Sequence, residues 1–380
     1  MLVDSRTHPP RLPERLFAAC GYFLPRLMFL HSRYAPAVHW GDIAVALDGF
    51  PCDDLDLGSP GFWDEWRTRW EALGDDYSGL AMESTTQAGR SRAWHGAAAC
   101  YHWAEFMDFD NPGRKTRLRT RVRDCFQRGL DVVGPRMEGG ELTVDGVVVP
   151  YWLVFPPAER VALGPLPCVV MSNGLDSMTE IEVLALAESY LDRGMAALLF
   201  DGPGQGIQVG RMPLRIDMED VVAKLVDALR RDGRIAGDRL AFVGISFGGY
   251  LALRVAQALG ADFRGVVNFS GGPRIAPFDG LPRRLKDDFR FAFQGGDAAD
   301  MQVRFDKLAI DETVAVRTDV LSVHGALDDI FPLPALSALD RAWGSRHRLV
   351  VHEREAHVCL NRINTCAVRS ADWLADLIRS

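Results

Sequence analysis

Ser246 is the residue best placed to do chemistry. It stands in Gly244-Ile245-Ser246-Phe247-Gly248, after the apolar run Leu240 to Val243 and before an Ala/Leu-rich helical stretch from Leu251 to Leu259. Gly-x-Ser-x-Gly between a strand and a helix is the nucleophile-elbow pattern. A serine on that strained turn is exposed at the end of a strand. The two glycines let strand and helix approach closely, and the N–H groups of the helix N-terminus face any oxyanion that forms there.

A serine hydroxyl is a weak nucleophile until an imidazole takes its proton, and the imidazole needs a carboxylate to hold its tautomer. In strand–turn–helix architectures of this kind the acid and then the histidine follow the serine, each in a loop after a later strand. The run Leu321 to Val323 leads through His324-Gly325-Ala326-Leu327 to Asp328-Asp329, and then to Pro332. Asp328 is the expected acid, with Asp329 as the alternative. Leu349 to Val351 leads to His352-Glu353-Arg354-Glu355-Ala356-His357. His352 ends the strand, whereas His357 lies beyond the acidic loop and is the expected base. His324, inside a strand run, is expected to be structural. An oxyanion hole needs two backbone N–H groups. Phe247, after the nucleophile, supplies one. The loop Asn173-Gly174-Leu175-Asp176-Ser177 supplies the other, from Leu175. Ser177 is expected to cap the following helix.

Other motifs exclude more than they propose. Asp201-Gly202-Pro203-Gly204-Gln205-Gly206 lacks the third spaced glycine of a dinucleotide loop and the lysine of a phosphate loop, and Pro203 has no N–H to offer. It reads as a tight turn beside the site. Neither a metal nor a cofactor is expected. The seven cysteines are scattered and include no Cys-x-x-Cys pair, which predicts reduced thiols and a cytoplasmic protein. Cys359, close to His357, reads as a passenger. The net charge of −8 disfavours nucleic acid. The basic run Arg114 to Arg123 spreads its charges around a helix, which predicts a solvated face. No apolar stretch approaches the ~20 residues that span a bilayer. The polar, Pro-rich start (Met1 to Pro13), followed by an apolar patch broken at Pro25 and Arg26, does not read as a signal peptide.

These residues must be held by a framework, and the hydrophobic period changes near residue 137. Residues 1–136 read as a helical domain. Trp63, Trp66 and Trp70 repeat at helical spacing, as do apolar residues from Ala93 to Phe109, and such stripes are core. Residues 137–380 begin with a hairpin around Asp145-Gly146. They continue as buried strands alternating with helices, which predicts a mostly parallel eight-stranded sheet covered on both faces. An irregular insertion at residues 271–308 leaves a strand end where ligands bind in open sheets. It is a lid or a plain surface excursion.

The loop Asn173 to Ser177, the turn Asp201 to Gly206, the elbow around Ser246, and the Asp328 and His357 loops together resemble α/β-hydrolases with a helical N-terminal cap. That group contains 2,6-dihydroxypseudooxynicotine hydrolase, the fungal heptaketide-shortening hydrolases and the fermentation–respiration switch protein. The stretch Ala97 to Phe106 is similar to the group's cap helix, and the resemblance covers residues 80–380. It implies a Ser246–His357–Asp328 enzyme, often a homodimer, that cleaves a carbon–carbon bond beside a ketone, or an ester. The aromatic helical part favours a bulky aromatic or polyketide-like small molecule, with Asp176 and Tyr101 as candidate contacts. Asp176 departs from the glutamate common at that position. An acyltransferase would use the same groups, and a non-catalytic binding or regulatory protein could keep the same fold.

Overall fold

The computed structural model describes residues 32–50, 59–106, 108–130, 135–160 and 164–379. The start of the chain with its apolar patch, Cys20, Cys52 and Met107 lie outside the described residues. Among the described residues four helices precede the sheet: α1 (Trp40–Leu47), α2 (Pro60–Glu83), α3 (Gln87–Glu105) and α4 (Pro112–Gly129). Three of them start on side-chain caps. Ser59, Thr86 and Asn111 accept from the N–H groups of Phe62, Gly89 and Arg114, and prolines occupy the first turns of α2 and α4. Trp63, Trp66 and Trp70 form one buried face of α2, and Trp66 Nε1 donates to the carbonyl of Trp103 at 2.7 Å. The tryptophan stripe is core.

The sheet follows. Strands β1 (Met137–Val144) and β2 (Val147–Val154) pair antiparallel through Asp145-Gly146, whose φ angles of 49° and 80° make the primed turn that matches strand twist. The remaining strands are β3 (Leu166–Ser172), β4 (Ala196–Phe200), β5 (Ile235–Ile245), β6 (Gly265–Phe269), β7 (Asp319–Gly325) and β8 (His347–His352). Their order in space is β1-β2-β4-β3-β5-β6-β7-β8, parallel from β4 to β8, with β2 antiparallel to β4. Between and after them run α5 (Leu184–Leu191), α6 (Glu219–Arg231), α7 (Phe247–Leu259), α8 (Arg283–Phe293), α9 (Ala298–Asp306), α10 (Leu333–Trp343) and α11 (Ile363–Arg379).

Alternation along the strands divides the core in two. Val169 and Met171 face the side shared with α5, α11 and the helices before the sheet. Cys168 and Val170 face the side shared with α6, α7 and α10. The four leading helices therefore continue one face of the sheet, and Phe126 meets Trp152 edge-on at 5.4 Å.

Three expectations are corrected. The basic run in α4 is not a solvated face. Lys115 and Arg119 are buried, and Arg123 reaches Glu180 and Asp201 at 2.6 Å each. Buried acids of other elements lie opposite one side of the helix, and spacing within the run does not show them. The insertion is not irregular. It holds α8 and α9, joined by Phe289 and Phe305 at 4.9 Å. It meets the leading helical region through Phe291 against Phe109, in the connection between α3 and α4, at 6.0 Å, and through Arg284 over Trp63 of α2 at 5.6 Å. Ser177 is not a helix cap. A π-helical turn, Thr179–Val183, precedes α5, and its first residue follows Met178 with no side-chain cap. Among the described residues no helix is long and apolar enough to cross a membrane.

Candidate active site

β5 ends at Ile245 and α7 starts at Phe247, so Ser246 alone makes the turn. Its φ of 57° and ψ of −118° lie outside the regions open to ordinary side chains. The turn is held by its N–H donating to Phe269 O at 2.8 Å. The flanking glycines are required by contact. A Cβ at Gly244 would lie 1.8 Å from Gly248 O, and one at Gly248 would lie 2.3 Å from Ser172 O.

The acid and the histidine reach Ser246 because two loops cross over the end of β7. A Cβ at Gly325 would lie 2.2 Å from Ala356 O, so glycine is what lets the loop after β8 pass there. Ala326 N donates to His352 O and Leu327 N to Glu355 O, each at 3.0 Å, tying the loops together. His357 Nε2 then stands 2.8 Å from Ser246 Oγ, and Nδ1 stands 2.8 Å from Asp328 Oδ2. The other carboxylate oxygen, Oδ1, accepts from the N–H groups of Ile330 and Phe331 at 2.9 Å. Burial opposes charge on Asp328, but the adjoining imidazole outweighs it and holds the acid below its ordinary range. Asp329 is exposed and takes no such position. His324 is buried in β7 with Nε2 donating to Phe331 O at 2.8 Å, and burial pushes its pKa down. His352 meets Cys366 Sγ at 3.3 Å instead of the serine. Val358 and Cys359, directly after His357, have φ of 67° and 52°, a strained pair for side chains of this kind. Burial pushes the Cys359 thiol up to about 12, which leaves it protonated and inert.

The loop after β3 faces the serine: a Cβ at Gly174 would lie 3.3 Å from Ser246 Cβ. Leu175 follows, and neither its N–H nor that of Phe247 donates to a described residue. The turn after β4 supports this loop, since Gln205 Nε2 donates to Asn173 O at 2.7 Å and Asn173 Nδ2 to Asp201 Oδ1 at 3.2 Å. Burial, only partly offset by Arg123, lifts Asp201 to about 6.

Of the two candidate substrate contacts, Asp176 adjoins Leu175 and is half-buried. Tyr101 is not brought to this site. Its ring fills the space over Gly74 of α2, and its hydroxyl bonds Asp75 at 2.8 Å and Ser78 at 3.0 Å. α3 turns that residue toward α2, a choice made by helix packing. Sequence reasoning passed over Asp288 of α8. It is 1 % exposed, and its Oδ2 has no hydrogen-bond partner among the described residues. Burial, reinforced by the charge of Asp176 and opposed by Lys115 and Arg119, raises it to about 8. Asp288 stands beside Asp287 in a mixed amphipathic stretch, and nothing local marks which of the two is buried.

A doubly covered, mostly parallel sheet with an elbow serine after β5, an acid after β7 and a histidine after β8 defines an α/β hydrolase. A family model described as "Esterase FrsA-like" matches residues 60–275, and that of the prolyl oligopeptidase family matches residues 189–379. The chain belongs to the FrsA-like esterase family of α/β hydrolases. It is 27% identical over 351 residues to the 2,6-dihydropseudooxynicotine hydrolase of Paenarthrobacter nicotinovorans, covering 90% of this chain and 92% of that one. It is 31% identical over 205 residues to the 20-hydroxy-prefusarin hydrolase FUS2 of Gibberella moniliformis, covering 51% and 49%. The crystal structure of 2,6-dihydroxy-pseudo-oxynicotine hydrolase superposes with a TM-score of 0.79 at 24% identity, covering 93% of this chain and 95% of that one. The chain is an enzyme of the carbon–carbon-bond hydrolase or esterase type.

Proposed function

We propose that the chain is a serine hydrolase that works through an acyl-enzyme on Ser246. His357 takes the serine proton as Oγ attacks the substrate carbonyl, and Asp328 holds the imidazole in the tautomer that can do so. The N–H groups of Leu175 and Phe247 receive the oxyanion. His357 then protonates the leaving group, and water releases the acyl group by the same steps in reverse. An ester expels an alkoxide. A β-diketone loses its carbon–carbon bond, and the departing carbanion is held as an enolate by the neighbouring carbonyl.

The continuous hydrogen-bonded line Asp328–His357–Ser246, 2.8 Å at each step, carries the proposal. The substrate we propose is a bulky aromatic or polyketide-like carbonyl compound. The names of the pseudooxynicotine and prefusarin hydrolases support this. Residues 1–136 as a cap and 271–308 as a lid belong to the same reading. A homodimer belongs to the same proposal and is read by light scattering. A cytoplasmic setting belongs to it too, and suits the free, buried cysteines among the described residues.

The test is the intact mass after a fluorophosphonate, together with turnover of an aryl ester, with Ser246→Ala as control. A single adduct and turnover in the wild type alone are expected. No adduct on the wild type would remove Ser246 as the nucleophile.

A further inference from the structure

We propose that Arg119, on helix α4, is a positioning residue for the oxyanion hole: it fixes the far side of the loop that carries the Leu175 N–H. The proposal rests on the serine-hydrolase reading above.

The loop is anchored on both sides of Leu175. Before it, Asn173 is held by Gln205 at 2.7 Å and by its own bonds to Asp201 and Thr179 at 3.2 Å. After it, Arg119 Nη2 donates to Asp176 O at 2.8 Å, and Nη1 donates to Ser177 O at 3.4 Å and to Gly206 O at 2.6 Å. One guanidinium thus joins the loop after β3 to the turn after β4. A planar fork of five fixed donors can bridge three carbonyls at once, and an ammonium on a flexible stem cannot hold the same geometry.

Arg119 is itself aimed from behind. It is 1 % exposed, and Nε donates to Glu105 Oε2 of α3 at 3.1 Å. Glu105 also receives Lys115 Nζ at 2.6 Å and meets His102 Nδ1 at 3.0 Å. Burial disfavours its charge, but Arg119, Lys115 and His102 outweigh that and keep it ionised. Burying charges costs stability, and well-packed apolar side chains often serve a fold as well. This network therefore needs an account beyond packing. Its outlet is three carbonyls of the two loops beside Ser246, so the helices before the sheet help to build the catalytic geometry.

A ~1 Å displacement of a reacting group costs about 10²-fold, and loss of an oxyanion donor about 10²–10³-fold. Arg119→Lys keeps a cation opposite Glu105 and loses the fork. Arg119→Gln keeps donors and loses the charge. For whichever of these folds, kcat on an aryl ester is expected to fall by about 30- to 300-fold with KM within about threefold of wild type. An aryl trifluoromethyl ketone provides a second readout. Ser246 Oγ adds to its carbonyl carbon, the serine proton passes to His357, and the carbonyl oxygen becomes an oxyanion in the same hole. Its Ki should rise in step with the loss of kcat/KM, while a ground-state ketone analogue binds as before. Arg114→Met removes the pair to Asp108 at 2.5 and 2.6 Å on the same helix and touches neither Glu105 nor a loop carbonyl, so it should lower the melting temperature and leave kcat within about threefold. Equal losses of kcat in Arg114→Met and Arg119→Lys would overturn the proposal, as would Arg119 variants with unchanged kcat. Fluorophosphonate labelling of the wild type is scored first. Its failure sinks the hydrolase reading itself, whereas labelling and turnover unaffected by Arg119 substitution sink only this inference.

Discussion

Asp328→Asn isolates the tautomer argument. In the native site Oδ1 accepts from the N–H groups of Ile330 and Phe331 at 2.9 Å, and Oδ2 accepts from His357 Nδ1 at 2.8 Å. Asparagine can keep its oxygen on the two backbone donors, so the loop after β7 should hold its shape. Its amide nitrogen then faces His357 and donates, so the imidazole must turn its Nδ1 lone pair toward it. The ring proton moves to Nε2, the atom 2.8 Å from Ser246 Oγ. A protonated Nε2 cannot take the serine proton. The equivalent change in a serine protease lowers kcat by about 10⁴, so we expect a loss of about 10³–10⁴, or ~4–5 kcal/mol of barrier. The assay is steady-state hydrolysis of an aryl ester, with thermal melting to check the fold. A loss below about tenfold in a well-folded variant would refute the tautomer role of Asp328.

Three further outcomes are expected. Gly174→Ala places a Cβ 3.3 Å from Ser246 Cβ and 3.1 Å from Ser177 Oγ. It should lower kcat on the order of tenfold with under ~1 kcal/mol change in urea-denaturation stability, and an unchanged kcat would disconnect this loop from catalysis. Gly244→Ala forces a Cβ to 1.8 Å from Gly248 O, a backbone atom that cannot swing away. The cost should reach or exceed the ~1–3 kcal/mol of ordinary overpacking, and a native melting temperature would contradict the elbow geometry. Asp288, raised to about 8 from 3.8, holds a proton that the unfolded chain has already released across that interval. Its contribution to stability is therefore greatest below pH 3.8 and is lost as pH rises to about 8. Asp288→Asn should flatten the fall in melting temperature between pH 5 and 8, and parallel curves for the two proteins would show that the group is ionised throughout.

The framework was legible because its determinants are local. A hairpin needs a two-residue turn of positive φ, and Asp145-Gly146 announces it. A doubly covered sheet needs short apolar runs such as Ala196 to Phe200, and each strand end delivers its next few residues to one edge. Ser246, Asp328 and His357 meet within hydrogen-bond distance because parallel strands bring their C-terminal loops together. The order of residues along the chain encodes that convergence. The two helices of the insertion were harder to see. Their mixed composition and three prolines mask a helical period, and their apolar faces become evident only where Phe289, Phe293, Met301 and Phe305 are buried together with Phe278.

What the sequence alone determined is the nature of each chemical group and the strand end from which it comes. Tertiary structure decided which groups lie in water. Lys115 and Arg119 share a run with Arg117, yet the first two are buried against Glu105 while Arg117 is mostly exposed. Tyr101 packs on Gly74, and Asp288 lies where Asp176 and two cations set its proton affinity. Burial and long-range charge depend on elements up to a hundred or more residues apart in the chain. No local spacing encodes them, because the free energy of an ionised group is set by what the folded chain places around it.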